Sequence, residues 1–368
     1  MRFAAGNQRH NQRSVEELTP SGRARRMRGL ARVALHRFGL EPARLVLARY
    51  AGNALYRVYS DANRQAASVA DLFEPGQFLL RIHWQGYREP NAIHLELEWL
   101  RALRDRCGLP VPEPVAADNG ECLIEVSSPG VPSPRLCSLL RWVKGRRLRK
   151  RAMSRHYASQ GRLMAELHSF SESWPLPGRA RPRVYDWNGL FKEIPALCLP
   201  IDDIWSLLPA DRTDGFQEVA RRVRIVMDEL GTGPGVFGLI HADLGVDANL
   251  LFWRGEPRAI DFDESGLGYW IYDLAVSLEH CRWERDYDTK RDALLDGYSR
   301  VRVLPDVQVQ HLDLFMAALD VYLGLWANAV ATLRKEREDI RRRFERCAML
   351  VDRYLERGRQ GWVEPLGG

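Results

Sequence analysis

From Gly238 to Ala275 the chain reads G-L-I-H-A-D-L-G-V-D-A-N-L-L-F-W-R-G-E-P-R-A-I-D-F-D-E-S-G-L-G-Y-W-I-Y-D-L-A, and no other stretch limits the possible folds as much. Leu250 to Trp253 and Pro257 to Ile260 are short apolar-rich runs on either side of Arg254-Gly255-Glu256. Such a pattern predicts a β-hairpin closed by a three-residue turn. With Gly255 at its centre, counting pairs Trp253 with Pro257 and sets Asn249 opposite Asp261. Opposed residues have Cα atoms about 4.5–5.5 Å apart, so an amide oxygen and a carboxylate should meet at the open end of the hairpin.

Hard oxygen donors of this kind suit Mg²⁺, which keeps few protein ligands and completes its shell with water and phosphate oxygens. Asp243, a few residues upstream, is then available to take a proton from an attacking hydroxyl. Asp and Asn also occur in loops for turn reasons alone, and a lone His-x-Asp carries no information. Three such groups brought together by one hairpin point to phosphoryl transfer from Mg²⁺ and ATP.

The rest of the chain supplies a frame for that site. A basic helix runs from about Gly22 to Phe38 and is ended by Gly39. Two strands between Arg44 and Tyr59 join at Ala51-Gly52-Asn53, and Phe78 to Trp84 is a third, with Phe78, Leu80, Ile82 and Trp84 on one face. Pro90 opens a helix that closes before Gly108 and Pro110. Cys122 to Val126 and Leu136 to Val143 are further strands, and Trp142-Val143-Lys144-Gly145 reads as a hinge. Beyond it helices dominate, at Ser154 to Phe170, Asp214 to Leu230 and twice near the C-terminus. The expected class is α+β in two lobes. Residues 1–21 form a disordered arm, 22–143 a strand-rich nucleotide-binding lobe, and 144–368 a mostly helical catalytic and substrate-binding lobe.

Composition removes several other classes. The pI near 9.1 and the basic runs at Arg23 to Arg28, Lys144 to Arg151 and Arg341 to Arg346 invite a nucleic-acid reading. Only five of the basic residues are lysines, and no nucleic-acid recognition motif accompanies them, so a solvated basic surface is expected. The six cysteines have no C-x-x-C pairing, which argues against a zinc site or disulfide framework and for a reducing cytoplasm. Met1 to Thr19 is polar, unlike a signal segment. Leu312 to Leu333 is apolar but carries Asp313, Asp320 and Asn328, a poor membrane span.

These segments, with A-L-H-R-F-G-L, F-L-L-R-I-H, L-E-L-E-W-L-R-A-L and L-L-R-W-V-K-G, resemble the aminoglycoside-phosphotransferase and choline-kinase superfamily over roughly residues 30 to 360. The likeness is nearest to the bacterial branch of homoserine-kinase-like enzymes and stress-response Ser/Thr kinases. It implies a two-lobed protein-kinase-like fold. It also implies Asp243 as catalytic aspartate, Asp261 as principal metal ligand, His241 as a loop-ordering residue and Asp273 as an anchor from the following helix. The family places its amide five residues after the aspartate, whereas Asn249 is six after Asp243 and Ala248 holds the expected position. Either the loop bulges by one residue or Asp247 shares the ligand role; the counted register favours Asn249.

In the helix after Pro90, Glu96 falls within the apolar stripe of Ile93, Leu97 and Leu100, where a carboxylate needs a partner. Arg81, on the third strand, is the candidate. The pair resembles the strand-lysine and helix-glutamate of kinases that hold the α- and β-phosphates, with Arg for Lys; the bland alternative is two half-buried polar residues. Gly52 and Asn53 at a hairpin tip would cover the phosphates, and Trp142 with the hinge would frame the adenine.

Only eleven residues separate Asp261 from Asp273, too few for an activation loop. That favours a small-molecule acceptor such as an amino-alcohol or aminoglycoside-like compound. Trp270, Trp283, Trp326 and Tyr322, with Glu264, Glu279 and Asp320, are candidates for an aromatic and acidic acceptor site, unless the tryptophans are plain core. Two rival readings are a protein Ser/Thr kinase of the stress-response type and a catalytically silent nucleotide-binding regulator.

Overall fold

The computed structural model describes residues 20–51, 53–61, 71–148, 151–192, 201–333 and 338–357. The expected arm, apart from Pro20 and Ser21, lies outside them, as do Gly52 and Cys198. The described chain divides into two compact units, one of residues 20–90 and 112–143 and one of residues 91–111 and 144–357.

The first unit opens with helix α1 (Pro20–Arg37). Gly39, at φ +66°, stops it, and the Leu40 N–H donates back to the Leu35 carbonyl, a left-handed C-terminal cap of the kind glycine favours. The strands are β1 (Ala43–Ala51), β2 (Asn53–Ser60), β3 (Phe73–Ile82), β4 (Pro114–Val115), β5 (Leu123–Val126) and β6 (Arg135–Val143). They form one antiparallel sheet in the order β1-β2-β3-β6-β4, with β5 on β6. Ala54, Tyr56 and Val58 of β2 and Phe78, Leu80 and Ile82 of β3 bury one face in the same core as Leu30, Ala31, Ala34 and Leu35 of α1. The alternation read for the third strand holds from Phe78 to Ile82, but two details differ. β3 begins at Phe73, five residues before the pattern is readable, because Glu74-Pro75-Gly76 and a register shift interrupt it. Trp84 lies past the strand and is exposed.

The second unit contains α2 (Pro90–Cys107), grouped here from Asn91 onward, then α3 (Ser154–Ser173), β7 (Arg183–Tyr185), α4 (Trp187–Phe191), α5 (Ile201–Ser206) and α6 (Ala210–Leu230). There follow β8 (Phe237–Ile240), β9 (Leu250–Trp253), β10 (Glu256–Ala259), β11 (Gly266–Tyr269) and α7 (Trp270–Leu278). The chain continues through α8 (Tyr287–Ser299), α9 (Asp306–Val309), α10 (Leu312–Leu333) and α11 (Glu338–Arg357). β11 runs parallel to β7 and antiparallel to β8, while β9 and β10 make a separate hairpin.

Two glycines set the packing behind the site. A Cβ on Gly161 of α3 would stand 2.0 Å from the Leu294 carbonyl oxygen of α8, and one on Gly297 would stand 2.0 Å from that of Ala158. The two helices thus touch backbone to backbone, which only glycine permits. The segment Asp306–Thr332 contains an 18-residue stretch apolar enough to cross a membrane, but 83% of that stretch is buried within the protein. α10 is buried beyond the single expected stripe, since Ala317, Ala318, Val321 and Leu325 are as inaccessible as Phe315 and Met316. α6, α7 and α11 each pack against it, so it is a core helix.

Candidate active site

The hairpin forms where expected, in a different register. Its turn has two residues, Arg254 and Gly255, both left-handed at φ +52° and +86°. Trp253 pairs with Glu256 and Leu250 with Ala259, and the Ile260 N–H donates to the Asn249 carbonyl at 2.9 Å. Asn249 therefore stands opposite Ile260, and the counted pairing of Asn249 with Asp261 is wrong by one residue. Consecutive positive-φ positions match the twist of a hairpin better than a three-residue loop does. An arginine there is uncommon, and nothing in its identity announces it.

What holds Asn249 is its own side chain. The Nδ2 group donates to the Asp243 carboxylate at 2.6 Å and to the Asp243 carbonyl at 2.9 Å. Asn249 is 5% exposed, and with its N–H groups turned to Asp243 the amide oxygen is the atom left to face a cation. The Asp243 carboxylate reaches solvent, yet the protein around it withdraws enough water to matter. Burial, with the nearby Glu264 and Asp261 carboxylates, pushes it up to about 7, against the opposing pull of the Asn249 amide. Asp261 leaves the hairpin in the left-handed region at φ +65° and leads into a 3-10 turn at Phe262–Glu264. The metal donors expected from the sequence, the Asn249 amide oxygen and the Asp261 carboxylate, stay as candidates.

Asp247 sits among other charges than Asp243 does. It is half-buried, its Oδ1 lacks a hydrogen-bond partner among the described residues, and burial and then Glu284 raise its carboxyl, with His280 and Lys290 opposing. Its electrostatic neighbours lie at 280–290, whereas those of Asp243 are Glu264, Asp261 and Glu279.

The loop is tied down from beneath. Asp273 on α7 is fully buried and accepts from the His241 N–H at 3.1 Å and the Ala242 N–H at 2.8 Å. The latter holds Ala242 at φ +63°, a strained conformation for alanine. His241 bridges the Ile260 carbonyl through Nε2 at 3.1 Å and accepts the Asp243 N–H on Nδ1. It is thus a neutral spacer between loop and hairpin, and burial lowers its pKa. His168 of α3 completes the knot, with Nε2 on Asp273 and Nδ1 on the Tyr298 hydroxyl, both at 3.0 Å. Gln160 and Ser277 each donate to the Leu244 carbonyl, at 2.7 and 2.8 Å.

Sequence reading missed these last three. Ser277 stands four residues after Asp273, so α7 places both on one face, and that spacing was a usable signal. His168 and Gln160 lie mid-helix with nothing to mark them.

Burial holds His168 below its ordinary value of 6.5, although Asp273 pulls the other way and Arg302 assists burial. Its folded form therefore binds fewer protons than the unfolded chain. The contribution to stability is full above about pH 6.5 and is lost as pH falls below it, by at most about 1.4 kcal/mol per pH unit. Thermal unfolding between pH 8 and pH 5 should show this loss, and His168→Gln should flatten it. An unchanged slope in the variant would remove His168 from the account.

The first unit presents Arg81, 1% exposed, on β3 between Leu55 of β2 and Ser138 of β6. In the second unit Glu96 on α2 is likewise 1% exposed. Asn53 accepts the Trp84 N–H on its side-chain oxygen at 3.0 Å. The Trp142 ring lies 4.2 Å beneath the Arg57 guanidinium. Of the candidate acceptor residues, Trp270 is core, stacked on His168 at 4.5 Å. Glu264 and Tyr322 both bond Arg183, and Asp320 forms a buried pair with Arg282 at 2.6 Å.

Residues 63–304 match the phosphotransferase enzyme family, APH. A homoserine kinase of Rhizobium rhizogenes is 28% identical over 277 residues, covering 70% of this chain and 78% of its own. Among solved structures, a microcompartment-associated aminopropanol kinase aligns over 91% of this chain and 98% of its own, at 25% identity and a TM-score of 0.71. The amicoumacin kinase hAmiN, in complex with AMP-PNP and Ca²⁺, aligns over 87% and 92% with 18% identity and a TM-score of 0.69. With two thirds of its length matched by one family, the chain belongs to the phosphotransferase enzyme family and is a small-molecule kinase.

Proposed function

We propose that this kinase moves the γ-phosphoryl group of ATP, with Mg²⁺, to a hydroxyl of a small amino-alcohol-type molecule in the cytoplasm. The observation that carries the reading is the bond from the Asn249 amide to the Asp243 carboxylate at 2.6 Å. It fixes one carboxylate oxygen and leaves the other to take the acceptor proton as the hydroxyl oxygen attacks phosphorus. His241, Ala242 and Asp273 hold the loop rigid beneath, so the base is positioned in advance. The donor set fits Mg²⁺ in chemistry, with the Asn249 amide oxygen and the Asp261 carboxylate as hard donors. When bound, the metal would neutralise charge on the transferring phosphoryl oxygens. Arg81 would supply a permanent cation to the phosphates. Asn53, whose side-chain oxygen accepts the Trp84 N–H, would cover them, and Trp142 near the end of β6 would frame the base.

The amino-alcohol class draws support from relatives named as homoserine and aminopropanol kinases. Between Asp261 and Asp273 the chain is fully taken up by a 3-10 turn, β11 and the start of α7, which favours a site that is always assembled over one that a regulated loop must order.

A magnesium titration of turnover separates Asn249 from Asp247. Asn249→Ala should raise the magnesium needed for half-maximal rate and lower the maximal rate, because a ligand misplaced by about an ångström cannot meet the Mg²⁺ distance of about 2.0–2.1 Å. Asp247→Ala should leave the magnesium dependence where it was. The reverse pattern would make the pair two carboxylates.

A further inference from the structure

Two of the tryptophans read from the sequence as an acceptor site, Trp283 and Trp326, lie against arginines. On α11, Arg343 and Arg346 are spaced i, i+3 and so share a face. The Arg346 guanidinium carbon stands 4.8 Å from the Trp283 ring centre, and that of Arg343 stands 5.8 Å from the Trp326 ring centre. Both side chains are exposed, and among the described residues neither has a carboxylate at ion-pair distance. Their neighbour Arg342 does, reaching Glu338 at 3.7 Å. Arg282 also approaches Trp283, at 5.7 Å, but its charge is spent on buried Asp320.

An arginine laid against an indole is held in orientation while its edge donors stay available, the arrangement suited to carboxylate and phosphate oxygens. Beside it the Trp283 indole N–H is buried with no acceptor among the described residues. α7 connects the pair to the catalytic loop: Asp273 on it holds the His241 and Ala242 N–H groups, a Cβ on Gly245 of that loop would stand 3.6 Å from the His280 ring just past the helix end, and Trp283 follows under Arg346. The tryptophans read from the sequence as a cage for a substrate cation already carry the protein's own cations.

We propose that Arg343 and Arg346 form an anion subsite, so that the acceptor phosphorylated at Asp243 carries a carboxylate or phosphate group as well as its hydroxyl. The proposal rests on the phosphotransfer reading given above.

Matched acceptors test it. 3-Amino-1-propanol against L-homoserine and 1-amino-2-propanol against L-threonine differ only by a carboxylate, and glycerol against glycerol 3-phosphate differs by a phosphate. ADP release is measured for each in the wild type, in Arg343→Met/Arg346→Met, which keeps apolar stems on the indoles, and in Arg346→Lys. The anionic member of at least one pair should be preferred by about ten- to hundredfold in kcat/KM. That preference should collapse towards parity in the double variant, mainly through KM, and return partly with lysine; which pair shows it names the anion. Preference for the neutral members, or a preference unchanged in the double variant, overturns the subsite. Calorimetric titration of L-homoserine and of inorganic phosphate reads the subsite without turnover. Binding that disappears in the double variant supports it even if no acceptor releases ADP, in which case the phosphotransfer reading alone fails. Absent binding, or binding indifferent to the two substitutions, overturns it.

Discussion

Asp243→Asn should lower acceptor-dependent turnover by about 10²–10⁴ while leaving the fold and Mg²⁺-supported ATP binding nearly intact. The substitution is close to isosteric. Its amide oxygen can still accept from Asn249, so the 2.6 Å contact that positions the side chain has a counterpart in the variant. What disappears is the group able to receive the hydroxyl proton, and a lost positioned base typically costs this much. Ser277 and Gln160 grip Leu244, and Asp273 grips the two residues before Asp243, so the loop should not relax. A coupled ADP assay with a confirmed acceptor, alongside ATP calorimetry, checks both halves. Near-wild-type turnover would remove Asp243 as the base.

Asp261→Ala should abolish the magnesium dependence of nucleotide binding, since it deletes the charge expected to hold the metal against the phosphates. Asp261 also sits at φ +65°, where alanine carries a backbone penalty of roughly 1–2 kcal/mol that Asp and Asn bear more easily. Asp261→Asn separates the two effects by keeping the conformation and losing the charge. Calorimetry of ATP with and without Mg²⁺ should show the magnesium enhancement gone in Ala and strongly reduced in Asn. An enhancement intact in both would place the metal elsewhere.

Local patterns in the sequence marked most of the framework. Gly39 and Gly108 ended their helices in the left-handed region, as a residue without a Cβ allows. Alternation marked the buried face of β3 from Phe78 to Ile82, and failed where Pro75 and Gly76 break the strand and at Trp84, which lies past its end. The carboxylates and amide of the site were visible because the hairpin brings them close in sequence as well as in space. Its register was not visible, since it depends on Arg254 adopting a positive φ, a choice made by strand twist rather than by side-chain chemistry. Asn249 nevertheless meets Asp243 through a side-chain bond that no counting of strands anticipates. His168 was hidden for another reason: it reaches Asp273 across 105 residues, and only the glycine-tight crossing of α3 and α8 puts Tyr298 beside it. The candidate acceptor tryptophans were legible in the sequence, but which charges lie on the faces of Trp283 and Trp326 depends on α11, whose register against α10 no motif reports.

The most direct test of small-molecule phosphotransfer follows the phosphorus itself. Incubation with γ-labelled ATP, Mg²⁺ and the matched hydroxyl acceptors should yield ADP and a labelled phosphate ester in equal amounts, only when acceptor is present, and far less with Asp243→Asn. Binding of ATP with no acceptor-dependent ADP, or label found solely as inorganic phosphate, would contradict it.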